Sequence, residues 1–312
     1  FKVPKSLRLS RLRGEYYVSF SYEDGRVLED PWEQVIELIS QGEEVLREAS
    51  CGNDRGVKIP VVSSKGECYD FTPEQKKTLR KKKKQIRKNQ KRLSRQHKGS
   101  KRHEKVKRQI AKDSAKIARI REDFSHQSSH KLVWSEETIL TWEDLRVKDM
   151  TKRPAPQRDD QGKYLPNRAR AKAGLNEAIL NSCWGDMLRK VGYKAKRVGK
   201  LVLLVSAYRS SQECAKCHHT HPGNRVNQSI FKCLGCGYSE NADVNASQII
   251  EYRGVQALLE HPKADWEEVS EGIWKISITT RGTRGSAQGG KDKTQKPKAD
   301  VQSPRSANRV SA

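Results

Sequence analysis

Apolar and polar positions alternate near the start of the chain, before a helical repeat begins. After Gly14, successive side chains alternate with the two-residue period of a strand, so residues 1–22 predict β-structure. A helix is predicted between Asp30 and Gly42, because four apolar residues fall on one helical face: Trp32, Val35, Ile36 and Ile39.

The apolar period then changes from that of strands to that of a long helical hairpin. Residues 51–71 predict two strands joined by a turn at Lys65-Gly66. Pro60 cannot donate a hydrogen bond to a strand ladder, so a bulge or a sheet edge is expected there. Two antiparallel helices are predicted over residues 73–124, because apolar residues recur at intervals of seven: Leu79, Ile86 and Leu93, then Ile110, Ile117 and Phe124.

The rest of the chain continues as shorter elements and ends in a tail of low complexity. In chain order, the patterns predict a strand within 131–145, a polar mobile loop over 149–170, a helix face of Leu175, Ile179, Cys183 and Met187, a buried strand at 200–205, a helix from about Asp243 and disorder beyond about Thr279. No run approaches roughly 18 consecutive apolar residues, so we expect no membrane span.

Positive charge is concentrated in the predicted hairpin. The chain has 312 residues with 63 Lys and Arg against 38 Asp and Glu, and this net charge of +25 favours a polyanionic partner such as nucleic acid. Between Lys76 and Arg121 there are 22 Lys or Arg and two acids, Glu104 and Asp113. Surface helices normally mix charges, so this segment is expected to bind phosphates without reading sequence.

A basic disordered tail is the alternative for this segment, and the sevenfold apolar spacing argues against it. The residues that we predict to contact nucleic acid are Lys81, Lys82, Lys84, Arg87, Lys88 and Arg92.

Four of the seven cysteines form two CxxC pairs separated by 15 residues: Cys214, Cys217, Cys233 and Cys236. Each CxxC turn can present two thiolates to one tetrahedral zinc ion, and the spacing is typical of structural zinc sites in a reducing compartment. A redox pair and unpaired core cysteines are weaker interpretations. Four thiolates close the site, so the nearby histidines are not needed and the zinc is expected to organise a lobe without doing chemistry.

Three acidic residues lie beside predicted strand or helix ends: Asp54, Glu143 and Asp243. Each acid alone is weak evidence for a catalytic site, because an acid beside a strand usually just lies at the solvated end of that strand. Two Mg²⁺ ions would need several carboxylates converging on one point, which separation along the chain permits but does not prove.

The order of these motifs resembles TnpB, the nuclease encoded by small insertion sequences, and the related type V CRISPR effectors. Over about residues 45–255, a GxDxG motif is followed by a basic hairpin, a strand ending in an acid, two CxxC pairs and a DxNA motif. The matching stretches are GNDRGVKIPVVSS, IREDFSHQSSHKLV, ILTWEDLRVKDM, LNEAILNSCWGDMLRKVGYKAKRVGK, SAYRSSQECAKC and CGYSENADVNASQII.

This resemblance implies an α/β fold with an RNase H-like (RuvC) mixed sheet, interrupted by the basic hairpin and by a four-cysteine zinc ribbon. It implies that Asp54, Glu143 and Asp243 hold two catalytic Mg²⁺ ions for DNA cleavage, in addition to one structural zinc ion. Asp144 would point away from this site, because neighbouring residues on a strand face opposite ways. The implied partners are target DNA and a guide RNA, with no membrane, in the nucleoid-associated cytoplasm of a prokaryote; the oligomeric state stays open.

The resemblance also implies a domain order, in which most of an N-terminal recognition region is expected to be missing. The expected segments are a remnant of an N-terminal β domain and linker at 1–48, RuvC-like parts at 49–72, 131–208 and 241–278, the basic hairpin at 73–130, the zinc ribbon at 209–240 and a disordered tail at 279–312. Two other functions stay open, namely an inactive nucleic-acid-binding accessory protein of a mobile element and a compact type V CRISPR effector.

Overall fold

The computed structural model describes residues 3–12, 15–23, 25 and 28–277. Its strands are β1 (Ser6–Leu12), β2 (Glu15–Ser21), β3 (Ser50–Asp54), β4 (Val61–Ser63), β5 (Cys68–Tyr69), β6 (Ile139–Glu143), β7 (Gln157–Arg158), β8 (Tyr164–Leu165), β9 (Leu201–Val205), β10 (Ile230–Lys232), β11 (Ser239–Asn241), β12 (Trp266–Ser270) and β13 (Ile273–Ile276). Its α-helices are α1 (Pro31–Gln41), α2 (Glu43–Glu48), α3 (Pro73–Leu93), α4 (Lys101–Val133), α5 (Val147–Met150), α6 (Ala169–Asn181), α7 (Trp184–Arg197) and α8 (Ala242–Glu260).

The centre of the fold is a mixed seven-stranded sheet in the order β12-β13-β9-β6-β3-β4-β5. Strands β3, β6, β9 and β13 are parallel, whereas β4, β5 and β12 each run antiparallel to a neighbour. Strand β3 has the antiparallel strands β4 and β5 on one side and the parallel strands β6 and β9 on the other. This is the strand arrangement expected of the RNase H-like fold. The predicted fold class is confirmed.

Helices cover both faces of the sheet, because its central strands are apolar on both sides. On one face, Leu140 and Trp142 of β6 pack in a buried cluster with residues of α4 and α7. On the other face, Ile139 belongs to a cluster that includes Trp32 of α1 and Val255 of α8. The alternation along β6 therefore directs its odd-numbered residues towards α8.

Two glycines let α8 lie directly against the sheet. A Cβ atom at Gly52 of β3 would be 2.0 Å from the carbonyl oxygen of Ser247, and one at Gly254 of α8 would be 2.3 Å from Oγ1 of Thr141. Only glycine permits this approach of helix to strand. The contact fixes the position of α8 across β3 and β6.

The basic hairpin forms as the sevenfold repeat predicts. Thr72 caps α3 in a capping box with Gln75, and Ser100 caps α4. The second helix is longer than expected, however, and continues to Val133, so the strand predicted within 131–145 begins only at Ile139.

Several shorter elements differ from the sequence-based expectations. The segment 51–71 contains three strands, because the chain leaves the sheet after Asp54 and returns after Pro60; the predicted turn at Lys65-Gly66 is present. The helix face predicted from Leu175 to Met187 is divided between α6 and α7, because Cys183 has a φ of 60° that ends the first helix.

The polar segment 149–170 includes the end of α5, the small β7–β8 hairpin and the start of α6, and the hairpin β12–β13 was not predicted at all. The tail expected to be disordered lies outside the described residues. None of the helices in the described ranges is long and apolar enough to cross a membrane.

Candidate metal centres

The first two acids of the predicted trio lie at the same edge of the sheet. In the parallel pair β3–β6, Asn53 is opposite Trp142, so Asp54 and Glu143 follow at the carboxyl ends of adjacent strands. Glu143 also ends the pairing of β6 with β9, opposite Val205. The alternation of β6 directs the Glu143 side chain to the face that α8 covers.

The third acid comes from the first turn of α8. The side chain of Asn241 caps this helix by accepting hydrogen bonds from the backbone N–H groups of Asp243 and Val244. Because α8 packs tightly on β3, its first turn brings Asp243 towards the carboxyl edge of the sheet.

The charges of Glu143 and Asp243 both act on Asp54. Burial and the negative charges of Glu143 and Asp243 raise the pKa of Asp54 from 3.8 to about 7. Burial also raises the pKa of Glu143, although a hydrogen bond from Ser210 and the charges of Arg55 and Arg253 oppose this shift. Glu143 and Asp243 thus both lie near enough to Asp54 for their charges to act on it, and the three carboxylates are called the acidic site below.

Three polar side chains hold the acidic site in place. Ser210 donates a hydrogen bond from Oγ to Oε1 of Glu143 at 2.5 Å, and the guanidinium of Arg55 donates to the carbonyl oxygen of Glu143. Nη2 of Arg225 lies 3.4 Å from Oδ1 of Asp243, and its charge lowers the pKa of Asp54. Sequence reasoning missed these residues. Only Arg55, adjacent to Asp54, carries a local signal.

Asp144 has a different environment from Glu143. Its side chain forms an ion pair with Lys275 of β13, whereas Glu143 is buried against Ser210. Asp144 is therefore already neutralised by a lysine, and it serves as a matched control for the three acids.

The acidic site suits a hard divalent cation. Carboxylate oxygens are the ligands that Mg²⁺ prefers, and burial together with the charges of Glu143 and Asp243 disfavours a bare negative charge on Asp54. A bound cation would offset that cost.

The four predicted cysteines form a separate metal-binding cluster. Their sulfur atoms all lie within 4.8 Å of one another. Cys214 and Cys236 are 3.7 Å apart between sulfurs, and Cys217 and Cys233 are 3.6 Å apart. Backbone hydrogen bonds from His218 to Cys214 and from Gly237 to Cys233 close the two knuckles. The chain is thus able to bind a metal such as zinc here.

The segment that carries the four cysteines, residues 210–241, is called the cysteine lobe, and hydrogen bonds join it to the helix that carries Asp243. The side chain of Asn245, two residues after Asp243, accepts from the N–H of Ala215 and donates to the carbonyl oxygen of Glu213. Arg225 of the same lobe contacts Asp243. The geometry of the cluster therefore affects the helix that carries the third acid.

Most of the predicted nucleic-acid contacts lie on the outer face of α3. Lys82 is the exception, because its Nζ lies 2.6 Å from Oδ1 of Asp113, a buried acid of α4. Arg87 is exposed but also reaches Glu177 of α6 at 3.0 Å. The other members of the set are exposed, namely Lys81, Lys84, Lys88 and Arg92.

Two family models match the chain. The model described as "Probable transposase" matches residues 40–154, which include Asp54 and Glu143. The model described as "Cas12f1-like, TNB domain" matches residues 184–250, which include the four cysteines and Asp243. These matches confirm the resemblance to transposon-encoded proteins and type V CRISPR effectors.

Individual relatives match over part of their length. The "Putative RNA-guided DNA endonuclease InsQ" of Escherichia coli (strain K12) is 38% identical over 143 residues, 46% of this chain and 34% of InsQ. The "CRISPR-associated endodeoxyribonuclease Cas12f1" of Sulfoacidibacillus thermotolerans is 36% identical over 81 residues, 26% of this chain and 19% of that protein. The matched residues thus span about a third or less of each relative.

A cryo-EM structure of a Cas12f1–sgRNA–target DNA complex aligns with a TM-score of 0.40 and 20% identity, covering 64% of this chain and 49% of that chain.

Proposed function

We propose that this chain carries the nuclease centre of a transposon-associated, RNA-guided DNA endonuclease. The observation that supports it best is that Asp54 and Glu143 end adjacent strands, and that burial and the charges of Glu143 and Asp243 raise the pKa of Asp54 to about 7. The names of the relatives support the same activity, since both are endonucleases that act on DNA.

In this proposal the three acids hold two Mg²⁺ ions. Bound in this way, Mg²⁺ supplies an activated water and stabilises the leaving oxygen of a phosphodiester. Ser210 and Arg55 orient Glu143, and Arg225 holds Asp243 from the cysteine lobe. None of the three orienting residues needs to touch the DNA.

The cysteine cluster is proposed to hold one structural zinc ion. Four thiolates leave no open coordination position, so the ion stabilises the lobe and takes no part in hydrolysis. Through Asn245 and Arg225, the cysteine lobe then supports the first turn of α8.

Target DNA and a guide RNA are the proposed partners. The exposed basic face of α3 supplies positive charge for either backbone without reading its sequence. The InsQ relative is named as RNA-guided, which supports an RNA partner for this chain as well.

Conservative substitutions of the acids test the nuclease proposal. Asp54→Asn, Glu143→Gln and Asp243→Asn keep the size of each side chain but remove a charge. Each should abolish Mg²⁺-dependent DNA cleavage with the guide RNA and should weaken Mn²⁺ binding measured by electron paramagnetic resonance. Combining the substitutions should add little, because a two-metal site fails when one ligand is lost.

Asp144→Asn is the control, because Asp144 pairs with Lys275 and its substitution should leave metal binding unchanged. Full cleavage by any of the three acid variants would refute the assignment. Nucleic-acid binding by the wild-type chain without any metal-dependent cleavage would instead favour an accessory binding protein.

A further inference from the structure

A large cleft lies between the basic hairpin and α6, away from the acidic site. Its volume is about 1070 Å³, just above the roughly 300–1,000 Å³ of small-molecule sites. One wall is formed by α4 together with Lys83 of α3, a second by α6, and a third by the segment 153–156 with Asn167.

The inner surface of the cleft is mainly apolar. Ile117 of α4 is buried, whereas Leu180 of α6 is 60% exposed although it is a large aliphatic residue. Small side chains keep the space between them open, and the remaining apolar lining consists of Ala118, Pro154, Ala155, Pro156, Ala169 and Ala173. A flat apolar group can lie against such walls without steric conflict.

Cations outnumber acids around this apolar surface. Lys83, Arg121 and Arg153 line the cleft with a single acid, Glu177. Glu177 is already engaged, since Nζ of Lys83 lies 3.3 Å from one of its oxygens and Nη2 of Arg87 lies 3.0 Å from the other. Within the described ranges, no acid lies within ion-pairing distance of Arg121 or Arg153.

Amide groups also line the walls, and most of their polar atoms already have partners within the protein. Asn167, Asn176 and Asn181 all line the cleft. Asn167 bonds to the backbone of Ala155 and Ala169, the Asn176 amide donates to Thr151, and Asn181 accepts from Arg121. In the described part of the chain, Nε of Arg121 and Oδ1 of Asn176 are buried without a hydrogen-bond partner. Such orphaned atoms are uncommon in folded proteins, and one is a donor while the other is an acceptor. Both atoms therefore carry hydrogen-bonding capacity that the described part of the protein leaves unused.

We propose that this cleft binds one unstacked nucleotide of a single-stranded nucleic acid. The base lies against the walls formed by Leu180 and the two prolines, its polar edge pairs with the unpartnered Oδ1 of Asn176, and its phosphate is held by Arg153. The inference rests on the nucleic-acid binding of the proposed function, but not on its nuclease chemistry.

Charge complementarity and position favour this occupant over an apolar peptide. The cleft carries a net positive charge, and Lys83 of the basic helix α3 forms part of its wall. A base becomes available to such a cleft only when it is unpaired, so a duplex gains nothing from it.

Filling the cleft tests the proposal directly. In the double variant Ala169→Leu/Ala173→Leu, two leucines replace small lining residues on exposed positions of α6, and leucine is a strong helix former. Fluorescence anisotropy with the full chain should show binding to a labelled single-stranded oligonucleotide that is roughly three- to tenfold weaker, with duplex binding unchanged. The control Ala171→Leu adds a leucine on α6 outside the cleft, and it should change neither single-strand binding nor duplex binding.

A charge variant gives an independent readout. Arg153→Gln removes one phosphate contact, so the plot of log K against log salt for single strands should become shallower by about 0.7. The matched change Arg170→Gln, at an exposed arginine outside the cleft, should leave that slope nearly unchanged.

A photo-cross-link locates the base. An oligonucleotide carrying 4-thiothymidine should cross-link to residues 153–156 or 176–181 in the wild-type chain and much less in the filled variant. Equal losses for single strands and duplexes, or no loss for either, would overturn the cleft assignment while leaving the nuclease proposal intact. A wild-type chain that binds neither nucleic acid would overturn both.

Discussion

At the residue scale, Asp54 is the acid whose pKa the acidic site shifts furthest. Burial and the charges of Glu143 and Asp243 raise its pKa to about 7, compared with 3.8 in an unfolded chain. Between these two values the folded protein keeps a proton that the unfolded chain has lost. The stability contributed by this group therefore falls as pH rises from about 4 to about 7.

This decrease in stability with rising pH can be tested on the protein in magnesium-free buffer. Asp54→Asn should flatten the decline in thermal stability between about pH 4 and pH 7, and it should raise the melting temperature above pH 7, because no charge is buried there. Part of the decline should survive, since burial also raises the pKa of Glu143 and of Glu251. Asp144→Asn should keep the wild-type profile, and an unchanged profile in Asp54→Asn would contradict the prediction.

The glycine contacts between α8 and the sheet are a second residue-scale prediction. Gly52→Ala should destabilise the protein by about 1–3 kcal/mol or more, because its Cβ would meet backbone atoms of Ser247 and Glu251 that cannot move alone. Gly254→Ala should cost less, since it meets the side chain of Thr141. Urea unfolding measures the loss in free energy of unfolding for both variants.

Gly174→Ala is the matched control, because nothing lies within 4 Å of the added Cβ on α6, and it should stabilise by up to about 1 kcal/mol. A Gly52→Ala protein as stable as the wild type would show that α8 does not lie as closely on β3 as described.

The sequence offers candidates for the acidic site, but it does not show their surroundings. The three acids stand in short motifs, so the order of the motifs points to them. Ser210 and Arg225 reach the acids from 67 residues after Glu143 and 18 residues before Asp243, and no local pattern signals either contact. Such partners are set by tertiary packing alone.

At the element scale, helices could be predicted from the sequence where one apolar period continues for several helical turns. The hairpin α3–α4 keeps its sevenfold repeat for many turns, so both helices were found. The break at Cys183 went unseen, because apolar residues at intervals of four continue across it and a non-glycine residue takes the positive φ. Strands β12 and β13 are short and mostly exposed or half-buried, with little alternation to detect.

The cysteine lobe gives an element-scale prediction. Metal analysis of protein purified without chelator should find one zinc ion per chain. Removing it should unfold the lobe locally, because structural sites couple metal binding to folding. In hydrogen–deuterium exchange, residues 210–241 should lose protection, while β3, β6 and β9 keep theirs.

The loss should extend into the first turn of α8, because Asn245 is held by Ala215 and Glu213 of the lobe. Cys217→Ser should reproduce the effect, whereas Cys68→Ser, at an exposed cysteine outside the cluster, should not. Protection that is unchanged after complete zinc removal would show that the lobe folds without metal.

At the scale of the whole molecule, nearly all of the excess charge belongs to one hairpin. Its two helices are held together partly by Lys82 and the buried Asp113, so not every lysine of α3 is available to a ligand. The structure thus divides the basic residues into those that build the hairpin and those that face solvent.

This division predicts different outcomes for the exposed lysines Lys81, Lys84 and Lys88 and for the paired Lys82. If about six phosphates are neutralised, log K for duplex DNA should fall against log salt with a slope of roughly −5. Changing Lys81, Lys84 and Lys88 to Glu should flatten this slope and weaken all sequences alike, with little change in melting temperature. Lys82→Glu should instead destabilise the hairpin on the order of 2 kcal/mol, because Asp113 would face a like charge. Salt titrations and thermal unfolding of both variants separate binding from folding. A triple variant that keeps the full slope would place the phosphate contacts elsewhere on the molecule.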